Sequence, residues 1–236
     1  MPRKRRPDKT RDEQIQDIVA GTQKTRTAKS VAGGKVSSEE HPVLIRTTPI
    51  MWGVPCDEVM FSDFYILFEK NANKMPWDGF AASKGTYLPK ARNFIHDSYL
   101  DMSDLPYLMM LDSDVLFPPF IADRLMGHNL PIVGGWYRDK SHETHHPVVY
   151  DFVSETDGIN NWIHRNAPGK GLEQVDGIGA GCLLMKREVA EALGKSPYDM
   201  NSGGEDMKLS RKLMDLGIPL HVDWDLALAH AGVFSV

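Results

Sequence analysis

The 236-residue chain is 42% hydrophobic with a net charge of −5, which gives enough apolar material for a sizeable core and makes no overall demand for a nucleic-acid partner. The charge is uneven: residues 1–30 hold nine Lys/Arg against four Asp/Glu, so a basic tail precedes an acidic body. The two cysteines, Cys56 and Cys182, lie far apart in sequence and make up neither a CxxC zinc pattern nor a disulfide framework. No apolar run approaches the ~18 residues of a bilayer span, and the charged start has no apolar core after it, so a cytoplasmic chain without membrane insertion is expected.

Residues 1–40 are polar and basic, and only "EQIQDIVAG" has the makings of a short helix. The stretch is read as a disordered arm, either simply solvated or docked on an anionic partner. Residues 41–236 are read as one domain. Val43–Ile45, closed by Thr-Thr-Pro, is expected to form a buried strand. Met60, Phe64, Leu67 and Phe68 recur at helical spacing, with Asp57 near the start. "GFAAS" reads as a strand and "LPKARNFIHDSYL" as a helix with Pro89 in its first turn. "YLMMLD" is a strand, "PPFIADRLMGH" a helix closing near Gly127, and "LPIVGGWY" a strand. The second half reads as shorter strands in "HHPVVYDFVSE", "NNWIHRN" and "GLEQVDGIGAGCLLMKREV". An amphipathic helix, "GEDMKLSRKLMDLG", and a last strand, "IPLHVDWDLALAH", follow.

Alternating strands and helices predict an α/β fold with a mostly parallel sheet. Ligands of such sheets sit at the carboxyl ends of the strands. That places Thr47, Thr48, Asp112 and Asp114 on one rim.

Asp112-Ser113-Asp114 ends an apolar strand. The two carboxylates share a side if the strand continues and flank a turn if it stops. Adjacent like charges are tolerated where a cation neutralises them, and Mg2+ and Mn2+ favour carboxylate oxygens shared with phosphates. In "GGED", the glycines allow close backbone approach. Glu205 and Asp206 fall in a helix first turn, where carboxylates are favoured and can act as a base and an acceptor-binding group. His230 follows the last strand, and neutral imidazole is a good Mn2+ ligand. Gly177, Gly179 and Gly181 alternate, which in a strand leaves one face bare, either for a sugar or for tight packing. His142, His145 and His146 have zinc-like spacing, but they are read as part of a polar loop.

Taken in order, "VLIRTTP", "KARNFIHDSYL", "YLMMLDSDVLFPP", "LPIVGGWYRDK", "VDGIGAGCLLMKREV", "GGEDMKLSRKLMDLGIPLHVD" and "LAHAG" resemble the GT-A fold glycosyltransferases, especially small family-2-like enzymes of bacteria and phages. The resemblance spans about residues 42–232. It implies a Rossmann-like nucleotide-binding half, a mixed-sheet acceptor half, and a metal-dependent transfer from a UDP- or GDP-sugar to a hydroxyl. The acceptor would be a glycan, a protein or a modified nucleic acid, and the location would be the host cytoplasm if the chain is viral. It also implies roles for individual residues. Asp112, Asp114 and His230 would serve Mn2+ or Mg2+, with Asp112 also at the ribose or a metal-bound water and Ser113 among the cofactor-binding residues. Thr47, Thr48 and Pro49 would line the base pocket, Arg92 and Asn93 would hold the donor, and Gly179 and Gly181 would pass beneath its sugar. Trp136 and Tyr137 would offer a stacking surface. Asp206 would be the base of an inverting reaction and Glu205 an acceptor-orienting carboxylate. Two further readings fit the same residues: a phage-type enzyme glycosylating a DNA base held by the basic arm, and a nucleotide-sugar-binding protein without turnover.

Overall fold

Twelve strands and five helices build three sheets in a computed structural model that describes residues 47–56, 62–72, 75–140, 146–199 and 204–230. The basic arm, Val43–Ile45, Asp57, Met60, His142, His145 and Gly203 all lie outside the described residues.

The first strand described, β1 (Met51–Cys56), follows Thr47–Pro49 and is buried along its whole length. It pairs in parallel with β2 (Gly79–Lys84) on one side and β3 (Tyr107–Leu111) on the other. Two further strands, β5 (Ile132–Trp136) and β11 (Leu220–Ala227), also pair in parallel. Between the two groups runs β10 (Cys182–Lys186), antiparallel to both β3 and β5, and β8 (Leu172–Val175) closes the far edge against β11. The order β2-β1-β3-β10-β5-β11-β8 therefore has five of its seven strands running one way. This is the expected α/β sheet.

Helices on both faces explain why "YLMML" is apolar without alternation, as buried parallel strands are. Leu108 and Met110 join a core with Ile95 and Tyr99 of α2 (Leu88–Met102), Val189 and Leu193 of α4 (Arg187–Leu193), and Leu209 and Leu213 of α5 (Glu205–Asp215). Met109 and Leu111 face the other way, toward Phe64 and Phe68 of α1 (Ser62–Asn71) and Ile121 and Leu125 of α3 (Ile121–Gly127). Among the described residues, no helix is long and apolar enough to cross a membrane.

Two small sheets complete the site. β6 (Val149–Thr156) pairs antiparallel with β7 (Ile159–His164) and with the two-residue β9 (Gly177–Ile178). The pair β4 (Val115–Leu116) and β12 (Ala229–His230) joins the end of the chain to the Asp112–Asp114 turn.

Candidate active site

The carboxyl rim of β1, β2 and β3 is where a parallel sheet exposes its ligand crevice. A cavity of about 510 Å³ opens there, lined by residues of three loops that include Cys56, Tyr87, Asp112 and Asp114. The Asp-Ser-Asp triplet ends β3 as a turn, because the Val115 amide donates to the Asp112 carbonyl at 3.1 Å. The Asp112 amide donates to the Gly181 carbonyl at 2.9 Å, tying this turn to the end of the Gly177–Gly181 run.

Arg92 is the centre of the constellation. It projects from α2, is 1% exposed, and reaches carboxylates from two separate elements. Its Nη2 donates to both oxygens of Asp112 at 2.9 and 2.7 Å. Its Nη1 donates to Glu205 at 2.7 Å and to Asp206. Burial alone would favour loss of the guanidinium proton, but Asp112, Asp206 and Glu205 hold the charge firmly in place, well above the ordinary arginine value. One cation among three carboxylates leaves an excess of negative charge. Part of that excess is relieved on Asp206, where burial first, then repulsion by Glu205 and Asp112, push the carboxyl up to about 6 despite Arg92. A carboxylate titrating there is suited to take a proton near neutral pH. The sequence places both acids as expected: Gly204 precedes α5 at φ 104°, and Glu205 and Asp206 occupy its first turn.

His230 also reaches the site. β12 pairs it with Val115, the residue after Asp114, and its ring meets Tyr137 edge-on at 4.7 Å. Burial pushes the imidazole below its usual value, which favours the neutral, ligating form, although the Asp114 charge opposes the shift. Asp114 is met by the half-exposed Lys140. No group of three His, Cys, Asp or Glu side chains is arranged to hold an ion among the described residues. The donor chemistry nevertheless fits a hard divalent ion at Asp114 and His230, with water and phosphate oxygens completing its shell. Asp112 accepts one bond from Arg92 on each oxygen, and a carboxylate keeps further lone pairs beyond these.

Several expected residues are elsewhere or otherwise engaged. Thr47, Thr48 and Pro49 precede β1, at the amino end of the strand. The carboxyl end of β1 instead delivers Pro55 and Cys56 to the cavity. Asn93 spends its amide on Tyr198: Nδ2 donates to the Tyr198 carbonyl at 2.7 Å, and Oδ1 accepts the Tyr198 amide at 2.9 Å. Gly179 and Gly181 are not a bare floor for a sugar, because a Cβ on either would lie 2.4 or 2.7 Å from the Tyr137 hydroxyl. They let the backbone come close instead. The Gly181 amide donates to that hydroxyl at 3.0 Å, and the Ala180 backbone bonds to Asp206. Trp136 and Tyr137 are buried, with the Trp136 indole donating to the Trp224 carbonyl at 2.7 Å, so neither offers a stacking surface. Asp223 is internal to β11 and buried against Arg124 and His128. Ser113 lines the cavity.

Sequence reasoning missed the Gly85–Leu88 side of the cavity. Its signal was present: "GTYLP" follows strand "GFAASK", so it must fall on the same rim that carries Asp112. Tyr87, 55% exposed at the cavity wall, was hidden because a lone tyrosine in a loop carries no pattern.

No family model matches the chain, and no curated protein does. Among solved structures, A197 from STIV shares the fold at a TM-score of 0.50 and 16% identity, over 80% of this chain and 97% of that one. GalNAc-T7, solved with UDP, GalNAc and Mn2+, aligns at 0.47 and 13% identity over 75% of this chain and 37% of that one. CMP:2-keto-3-deoxy-manno-octonic acid synthetase, complexed with CTP, aligns at 0.44 and 10% identity over 78% of this chain and 92% of that one.

Proposed function

We propose that the chain transfers a sugar from a UDP- or GDP-sugar to a hydroxyl acceptor with inversion. One observation carries this reading: Arg92 joins Asp112, at the wall of the rim cavity, directly to Asp206, a partly buried carboxylate poised near pH 6. A donor cavity and a general base are thereby held within the span of one guanidinium.

In this scheme the nucleotide lies in the cavity against Pro55, Cys56 and Tyr87, with its ribose near Ser113. Asp114 and His230 would hold Mn2+ or Mg2+, which when bound supplies Lewis-acid stabilisation of the leaving diphosphate. Asp206 takes the proton of the acceptor hydroxyl. The hydroxyl oxygen forms a bond to the anomeric carbon while the bond from that carbon to the diphosphate breaks, and its electron pair leaves with the nucleoside diphosphate. Glu205 orients the acceptor, and Arg92 fixes both acids of α5 relative to the donor.

The test is release of UDP or GDP from a panel of nucleotide-sugars with Mn2+ and with chelator. Turnover that needs the metal and is lost in both Asp206→Asn and Asp114→Ala is expected. Full activity of Asp114→Ala would remove the metal assignment, and absence of both binding and turnover for every donor would end the transferase reading.

A further inference from the structure

The small sheet beside Asp206 presents a face the scheme above does not use. The antiparallel register sets Tyr150 opposite His164 and Phe152 opposite Trp162, so four rings share one side. Tyr150 and His164 have centroids 4.3 Å apart, Phe152 and Trp162 are 5.1 Å apart, and His146 continues the row 5.9 Å from His164.

This face looks toward the acids of α5. Gly177 of β9 pairs with Tyr150 and packs between Trp162 and Met207 of α5. Tyr150 lies within electrostatic reach of Asp206, Asp139 and Glu205. The row therefore begins near the base, and its Phe152 end runs along α5, where Arg211 lies 5.0 Å over the Phe152 ring.

The rings are interleaved with unmet polar atoms. Asn160 Oδ1, Trp162 Nε1 and His164 Nδ1 are buried without a hydrogen-bond partner. They occupy alternate positions of β7 and so share one face. Buried polar groups are nearly always paired, and of the three it is His164 Nδ1 that lies beside Tyr150, where a polar partner or water would meet it. Aromatic rings alternating with donors and acceptors match a pyranose, which has C–H faces and hydroxyl edges. The carboxylates around Tyr150 disfavour a polyanion, since nucleic acid is gripped by Lys and Arg.

We propose that this face is the acceptor subsite and that the acceptor is a carbohydrate, with one sugar ring seated on Tyr150 and His164 and its attacking hydroxyl turned to Asp206. The assignment of the sugar as acceptor rests on the transferase reading, whereas the binding face itself does not.

The test uses the full chain. Saturation-transfer NMR is run with the methyl glycosides of glucose, galactose, mannose and N-acetylglucosamine, and in parallel with a single-stranded oligonucleotide. UDP and GDP affinities measured by calorimetry serve as the internal reference. At least one glycoside binds, and Tyr150→Ala and His164→Ala each weaken it by roughly tenfold. Tyr150→Phe keeps the ring and retains binding, which separates a lost platform from a misfolded chain. No glycoside binding, or binding indifferent to both alanine variants, overturns the inference, as does an oligonucleotide that displaces the glycoside. Glycosides that bind to a chain unable to bind either UDP or GDP leave the face standing and overturn the nucleotide-sugar reading alone.

Discussion

At the scale of single residues, Arg92 decides the chemistry available to its neighbours. It carries the only guanidinium bonded to Asp112, Glu205 and Asp206 among the described residues, and it pulls the Asp206 carboxyl down against the burial that raises it. Transfer by a base titrating near 6 rises with pH and levels off above that value. Arg92→Lys keeps a charge but loses the planar fork that spans two acids at once. With the pull weakened, the Asp206 limb moves upward by about one unit. The pH profile of kcat/KM reads this directly, and a limb that stays in place would show that Arg92 only packs. Sequence inspection could name Arg92, Asp112, Glu205 and Asp206 separately but could not join them. Their separations of 20, 113 and 114 residues from Arg92 carry no pairwise signal. The same blindness misassigned Asn93. The residue adjacent to a functional arginine on a helix points about 100° away, and here it holds the Tyr198 backbone instead.

At the scale of elements, the legible parts were those with one strong period or a hard punctuation mark. The helix α2 was readable from Pro89, and α5 from its acidic first turn and its apolar stripe. The strand β3 was readable as an unbroken apolar run. Strand β1 was not, because Gly53 and Pro55 break the apolar run in "MWGVPC" that would mark a buried strand. Gly53 is there for packing: a Cβ would sit 2.5 Å from Ile95 Cγ2, so the gap lets α2 lie close on the strand. A stricter case is Gly134 in β5, where a Cβ would lie 2.6 Å from the Cys182 carbonyl oxygen of the neighbouring strand β10. Backbone in mid-sheet cannot retreat as a side-chain tip can. Gly134→Ala is therefore expected to cost about 3 kcal/mol. Gly127→Ala, in open space at the last residue of α3, is expected to be neutral or slightly stabilising. Denaturant melts of the pair measure the contrast. Equal effects would mean that β5 and β10 can part more easily than their register implies.

At the scale of the whole molecule, buried titratable groups with opposite preferences set the response to acid. Burial pushes the His96 imidazole down to about 4, so the folded state favours its neutral form. That contribution is complete above the unfolded value of 6.5 and is lost as pH falls toward 4. Burial pushes the Asp206 carboxyl up to about 6 from 3.8, so the folded state favours its protonated form. Its contribution is complete below 3.8, is lost as pH rises through about 6, and so grows on acidification over nearly the same window. Each amounts to about 3 kcal/mol, and the two have opposite signs. Asp223 enters later. Despite its burial, hydrogen bonds from His128 and Arg124 hold its carboxyl well below the usual range, so its contribution is present above the unfolded value and disappears as pH falls below it. The melting temperature should therefore stay nearly level from about pH 6.5 to 4 and then drop steeply. Two substitutions separate the opposing contributions. With His96→Asn, stability climbs as the pH is lowered through that window relative to the parent, because the Asp206 contribution is then opposed by His230 without His96. With Asp206→Asn, stability falls through the same window, because the depressed imidazoles of His96 and His230 are then unopposed by Asp206. Thermal melts of the three proteins between pH 3 and 8 give the answer. Parallel curves for all three would mean that the charge around Arg92 is balanced in some other way than by a proton on Asp206.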